Sequence, residues 1–127
     1  MLYCPQDSAH AGYATNFDAD LKNKISYFVG LAADFAHPVF LLSGDDHFFI
    51  NHRPAKPGLV EMASSTHVAW STNRHVSAAK QARAFENVTA VWENVVLADG
   101  SVQSLNNSGL TNILHHTGLA TNRLVIP

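Results

Sequence analysis

Residues 38–50 read Pro-Val-Phe-Leu-Leu-Ser-Gly-Asp-Asp-His-Phe-Phe-Ile, which is an apolar run, a polar turn and a second apolar run. The first run, residues 38–43, is typical of a short strand that is buried on both faces. Polar residues directly after such a strand lie where open α/β sheets place their ligand sites. The segment therefore predicts a central strand that leads into a functional turn at residues 44–47.

A periodic pattern before this strand predicts a long helix over residues 17–36. Its apolar positions recur every three or four residues, which is the period of one buried helical face. These positions are Phe17, Leu21, Ile25, Phe28, Ala32 and Phe35. Pro38 is expected to end the helix. A long helix before a central strand indicates an α/β fold with a mixed sheet, in which Phe28 and Leu41 are core residues.

The later segments predict further strands and one weaker helix. Strand-like runs cover residues 48–50, 59–63, 88–98 and 124–126, and the last of them is expected at a sheet edge. Asp99-Gly100 is a strong hairpin signal that leads into residues 101–105. Residues 78–85 fit a short helix, and residues 106–122 predict no element. With no internal repeat and no composition break, residues 1–127 are expected to form a single domain.

The composition excludes several classes of protein. Hydrophobic residues make up 46% of the chain, enough for a core, so global disorder is excluded. Lys and Arg number 8 against 10 Asp and Glu, which argues against a nucleic-acid partner. No apolar run reaches the roughly 18 residues of a membrane span. The first residues lack the basic and apolar regions of a signal peptide, so we expect a soluble, unexported chain.

Histidine is unusually frequent, with eight residues among 127. The single cysteine, Cys4, excludes an intrachain disulfide and a cysteine-based zinc site. Asp45 and His47 offer the carboxylate and imidazole donors that divalent metal ions accept, and Gly44 would allow a sharp bend before them. The turn therefore predicts a metal site, and the structural alternative is an ordinary acidic turn.

Other histidines are candidates to complete a site that includes His47. His52 follows five residues later, and because side chains alternate along extended chain, a bend is needed to bring the two together. His67 and His10 lie in polar segments and are the other candidates. The predicted metal ligands are thus His47, Asp45, His52 and His67, with Asp45 and His47 also as catalytic residues.

Residues 17–54 resemble a segment of the calcineurin-like metallophosphoesterases, including the PhoD-like phosphatases. The resemblance rests on residues 42–47, Leu-Ser-Gly-Asp-Asp-His, on the aromatic pair that follows, and on residues 51–54, Asn-His-Arg-Pro. It implies that His47 is a metal ligand, that Asp45 occupies another ligand position, and that Asp46 is not a ligand. It further implies a hydrolase of phosphate esters, with a small-molecule substrate and a divalent ion such as Mn, Fe, Zn or Cu.

The family completes its two-metal site with motifs that this chain lacks, namely an early Asp-x-His, a Gly-Asp-x-x-Asp and a Gly-Asn-His. We therefore expect the C-terminal half of a metallophosphoesterase-like sandwich. One alternative is a mononuclear histidine-site enzyme of another class. A second alternative is a non-catalytic half-domain that forms a homodimer through an exposed sheet face. The candidate residues for that face are Phe40, Leu42, Phe48, Ile50 and Val60.

Overall fold

A computed structural model describes residues 24–71 and 91–127. These residues form two antiparallel sheets and one helix. The elements, in chain order, are β1 Tyr27–Gly30, β2 Leu41–Asp45, β3 Phe48–Ile50, β4 Arg53–Pro54, β5 Gly58–Ala63, β6 Val68–Trp70, β7 Glu93–Leu97, β8 Val102–Leu105, α1 Asn107–His116 and β9 Thr121–Ile126. The larger sheet has the order β5-β9-β1-β2-β7-β8, and the smaller one has the order β4-β3-β6. The described chain thus mixes sheet and helix, as expected, but sheet dominates.

The helix predicted over residues 17–36 is wrong for its described part. Tyr27–Gly30 is strand β1, and turns follow it up to β2. The aromatic and β-branched side chains at positions 27–29 favour a strand, and strand pairing on both sides outweighs the helical spacing. Gly30 also suits this close packing, because a Cβ atom there would lie 1.8 Å from the Leu41 carbonyl oxygen. Residues 17–23 lie outside the described residues.

Strand β2 spans Leu41–Asp45 where the run predicted residues 38–43, and it is not buried on both faces. Leu41 is 4% exposed and Leu42 is 40% exposed. The register with β7 shifts between Leu41 and Ser43, so a β-bulge interrupts the alternation of the side chains. β2 pairs antiparallel with both β1 and β7, so it does not belong to the parallel α/β unit that the apolar run predicted.

Other predictions are confirmed or corrected by the described residues. The strands at residues 48–50 and 59–63 are present as β3 and β5, and Asp99-Gly100 joins β7 to β8 as a hairpin. Of the strand predicted over residues 88–98, Glu93–Leu97 is formed. β9 lies between β5 and β1, so it is not an edge strand. Helix α1 forms where no element was predicted. The helix predicted over residues 78–85 lies outside the described residues.

The core lies between one face of the larger sheet, the smaller sheet and helix α1. Phe28 and Leu41 are 1% and 4% exposed, which confirms both as core residues. The apolar side of α1 packs into this cluster through Leu110, Ile113 and Leu114. The full set of buried apolar residues is Phe28, Leu41, Phe48, Met62, Val68, Trp70, Val95, Leu97, Leu110, Ile113, Leu114, Leu124 and Ile126. Nothing among the described helical residues has the length and apolarity of a membrane span.

The predicted dimer face needs correction because most of its residues belong to this core. Phe40 and Phe48 are buried, and Ile50 and Val60 pack against the core cluster. Leu42 alone of the five is exposed. Four of the five residues are thus covered by the described chain itself. They do not form the exposed face that the sequence predicted.

Candidate functional site

The polar turn at residues 44–47 joins the two sheets. Asp45 ends β2 in the larger sheet, and Phe48 begins β3 in the smaller sheet. The backbone N–H of Asp46 donates to the Ser26 carbonyl oxygen at 3.3 Å. The backbone N–H of Ser71, just past β6, donates to the His47 carbonyl oxygen at 2.8 Å. Hydrogen bonds to two different elements therefore fix the turn at the junction of the sheets.

Asp45 is a buried carboxylate with a backbone donor. Its side chain is only 4% exposed, and Oδ2 accepts a hydrogen bond from the Asn94 backbone N–H at 2.8 Å. Buried carboxylates are costly unless hydrogen bonds or charges compensate them. Asn94, which the sequence did not single out, thus helps to hold Asp45 at the end of β2.

His47 is held by its neighbour Asp46. The distance between His47 Nδ1 and Asp46 Oδ1 is 2.7 Å, and the two side chains are 23% and 4% exposed. A carboxylate at one ring nitrogen fixes the ring and makes the other nitrogen a better ligand or base. Metal-binding histidines commonly have such a partner. The resemblance left Asp46 without a role, and the structure places it as the residue that orients His47.

Gly44 has a different role from the predicted bend. It lies within β2 and pairs with Phe28 and Val95, and it is not among the described glycines with a positive φ. A Cβ atom on Gly44 would lie 2.8 Å from Cε1 of Phe28 and 2.9 Å from the Asn94 carbonyl oxygen. Glycine is therefore needed here because the Phe28 ring and β7 approach the backbone closely.

His52 and His67 come together at the far end of the smaller sheet. Their rings stack with centroids 4.4 Å apart and an interplanar angle of 22°. His47 lies near Ser71 at one end of the β3–β6 ladder, and Asn51 donates to the His67 carbonyl at the other end. His47 and Asn51 are four residues apart along this strand, which corresponds to about 13 Å at roughly 3.3 Å per residue. Of the four predicted ligands, the structure thus brings His52 and His67 together, and Asp45 and His47 lie at the opposite end of β3 from that pair.

The remaining histidines lie elsewhere. His37 Nδ1 contacts Asp34 at 2.9 Å on an exposed turn, and the hydrogen bond from His37 holds the pKa of Asp34 below its usual value. His115 and His116 are exposed in the last turn of α1. Within residues 24–71 and 91–127, no three His, Cys, Asp or Glu side chains group closely enough to hold a metal ion. His10 lies outside these ranges.

No protein-family model, curated protein or solved structure matches this chain. Function is therefore inferred from the residues of the turn and from their geometry.

Proposed function

We propose that this chain is a metal-dependent hydrolase of phosphate esters, related to the metallophosphoesterases, with His47 at its centre. The observation that carries the proposal is the 2.7 Å contact between His47 Nδ1 and the buried Asp46 carboxylate. A carboxylate beside one ring nitrogen is the usual arrangement of a metal-binding histidine. The sequence resemblance assigns the same histidine to a metal, and this agreement favours the hydrolase over a structural turn.

The donor chemistry of the turn fits a divalent ion. Asp45 offers a carboxylate and His47 an imidazole, a combination that suits Mn, Fe or Zn and also accepts Cu. Oδ2 of Asp45 accepts the Asn94 N–H, which holds the carboxylate at the end of β2. Two protein ligands leave coordination positions for water and for phosphate oxygens. When bound, the ion would polarise the phosphoryl oxygen and lower the pKa of a coordinated water.

The residues of the turn then have distinct roles. His47 binds the ion, and Asp46 fixes the imidazole ring and raises its basicity. Asp45 binds the ion or orients a water beside it. Asn94 keeps the Asp45 carboxylate in place through its backbone N–H. The smaller sheet anchors the turn at His47 through the Ser71 N–H.

The proposal is tested by hydrolysis of p-nitrophenyl phosphate and bis(p-nitrophenyl) phosphate with Mn²⁺ or Zn²⁺ added to the metal-free protein. We expect metal-dependent turnover that His47→Ala lowers by about 100-fold or more, because the ion contributes several kcal/mol to the transition state. Asp46→Asn should lower it by about 10-fold to 100-fold, as loss of a carboxylate partner typically does.

His37→Ala is the matched control. His37 also contacts an aspartate through Nδ1, but both side chains are more than half exposed. We expect this variant to retain wild-type turnover. Equal turnover in His47→Ala and His37→Ala would refute the assignment of His47. Folded wild-type protein that shows no turnover with either ion would refute the hydrolase.

A second feature favours self-association, although through a different surface from the one that the sequence indicated. Across all six strands, the larger sheet carries a row of residues in register, here called the outer row. In strand order the row is Leu59, Val125, Val29, Ser43, Val96 and Val102. Four of its apolar members are at least 38% exposed, namely Val125, Val29, Leu59 and Val102. Rows of this kind are unusual on the surface of monomers.

The size and charges of this face fit a second copy of the chain. Six strands at about 4.8 Å spacing make the outer row about 24 Å wide. A standard interface buries about 800 Å² per partner, and a square patch of that area has sides of roughly 28 Å. The width of the outer row is close to that length. Glu61 and Arg123 contact each other at 3.1 Å beside the row, so a two-fold copy would present the opposite charge to each. We propose a homodimer in which two such faces pack together.

Light scattering at micromolar concentration tests the homodimer. We expect the wild-type chain to be dimeric and Val29→Lys to be monomeric, because a charge would be buried at the centre of the row. Phe35→Lys is the control, since Phe35 is 94% exposed but lies outside the row. A monomeric wild-type chain, or a Val29→Lys chain that remains dimeric, would contradict this interface.

A further inference from the structure

The turn between β3 and β4 has an unusual backbone at His52. Ile50 pairs with Arg53, so Asn51 and His52 form a two-residue hairpin loop. Their φ angles are +49° and +65°. Two consecutive positive φ angles are typical of a type I′ turn, in which glycine is strongly preferred at the second position. A histidine there is in an unfavourable backbone region because of its Cβ atom. Strained residues of this kind are frequent at functional sites.

The strained turn places His52 against His67. The Asn51 N–H donates to the His67 carbonyl oxygen at 2.9 Å, which extends the β3–β6 ladder by one pair. The two imidazole rings stack at 4.4 Å between centroids, and both residues are exposed. Both backbones are fixed by strand pairing, so the two rings remain neighbours while each side chain is still able to rotate.

We propose that His52 and His67 form a binding site for one divalent transition-metal ion, separate from the site at His47. Imidazole nitrogens bind Cu²⁺, Ni²⁺ and Zn²⁺ well, and affinity is expected to be highest for Cu²⁺. Metal–nitrogen bonds of about 2.0–2.1 Å require the two nitrogens to lie within roughly 4 Å of each other. Rings stacked at 4.4 Å reach this separation when they tilt about their side-chain bonds. Water completes the coordination.

The side chains near His52 and His67 favour a transition-metal ion over a hard ion. No carboxylate joins the two rings in the described part of the chain, and the adjacent charged residue Arg53 is a cation. Hard ions such as Mg²⁺ and Ca²⁺ require oxygen ligands and are therefore not bound. Backbone pairing next to the two histidines already restricts their positions. Less entropy is therefore lost when an ion fixes the rings. The ion would also cross-link the β3–β4 hairpin to β6.

The experiment is a calorimetric titration of the metal-free chain with Ni²⁺ at neutral pH. His67→Gln and His52→Asn are the test variants, and asparagine is chosen because it tolerates the positive φ at position 52. The second imidazole binds at high effective concentration, so each single variant should lose about 10-fold to 100-fold in affinity. His37→Gln, which removes a similarly exposed histidine, should change the affinity less than twofold.

A second readout separates this site from the site at His47. Ni²⁺ should broaden the imidazole NMR signals of His52 and His67 together, and this effect should persist in His47→Ala. His67→Gln should retain the phosphoesterase turnover that we expect of the wild-type chain. If either single variant retains wild-type Ni²⁺ affinity, or if the two rings respond to Ni²⁺ independently, the two-histidine site is refuted. Far-ultraviolet circular dichroism establishes that each variant is folded.

Discussion

At the residue scale, the turn at residues 44–47 depends on a glycine whose role is steric. A Cβ atom on Gly44 would meet both the Phe28 ring and the Asn94 carbonyl oxygen. Asn94 also donates to Asp45, the next residue. The same close approach of β7 therefore excludes a side chain at position 44 and supports the carboxylate at position 45.

Gly44→Ala should destabilise the protein by about 1–3 kcal/mol, because a rigid backbone oxygen prevents the neighbours from making room. Gly109→Ala is the matched control. A Cβ atom at position 109 meets the flexible Leu105 side chain at 3.2 Å, and alanine favours the helix in which Gly109 lies. We expect the control to be neutral or stabilising. Urea unfolding measures both variants, and equal stabilities would contradict the steric role of Gly44.

At the element scale, helix α1 is set in place by the two asparagines at its start. The Asn106 side chain accepts from the Gly109 N–H at 2.8 Å and caps the helix. Asn107 Oδ1 accepts from the Trp70 backbone N–H at 2.7 Å and joins the helix to β6. Trp70 Nε1 in turn donates to the Leu105 carbonyl at 2.7 Å. The helix thereby becomes the cover of the smaller sheet.

Asn106→Ala should lower the free energy of unfolding by about 1 kcal/mol, the usual effect of removing an N-cap. Asn106→Asp should retain most of the stability because it keeps the acceptor. Asn112→Ala, at an exposed position of the same helix, provides the comparison. Thermal unfolding monitors all three, and an Asn106→Ala variant as stable as Asn112→Ala would show that the cap contributes nothing.

The same elements show what the sequence could predict. Strands β3 and β5 and the β7–β8 hairpin were predicted because apolar alternation and Asp99-Gly100 are local signals. Helix α1 was missed because its residues are polar outside Leu110, Ile113 and Leu114, although Asn106 is a recognisable cap. The helix predicted across Phe28 failed because pairing of β1 with β2 and β9 outweighs the helical spacing, and β9 lies far along the chain.

At the scale of the whole molecule, a shared core joins the two sheets of the described residues next to the turn at residues 44–47. Phe28 stacks edge-on against Phe48 with ring centroids 6.0 Å apart, and Phe48 meets Trp70 at 6.2 Å. Leu41 belongs to the same cluster. The sequence placed Asp45 and His47 in one turn, but their separation from His52 and His67 depends on strand register, which no local pattern encodes.

Leu41→Ala should destabilise the protein by about 2–5 kcal/mol, because it opens a cavity in this shared core. Leu42→Ala is the matched control, since the neighbouring Leu42 is 40% exposed and lies at the bulge. It should cost less than about 1 kcal/mol. Denaturant unfolding that finds the two variants equally stable would contradict the position of the core.

The most direct test of the central claim is the metal content of the purified protein. It is measured by mass spectrometry on His67→Gln, in which the two-histidine site is removed, and on the double variant His47→Ala with His67→Gln. The account predicts stoichiometric divalent metal in the first protein and none in the second, with the same circular dichroism spectrum. Stoichiometric metal in the double variant, or its absence from His67→Gln, would contradict a metal centre at His47.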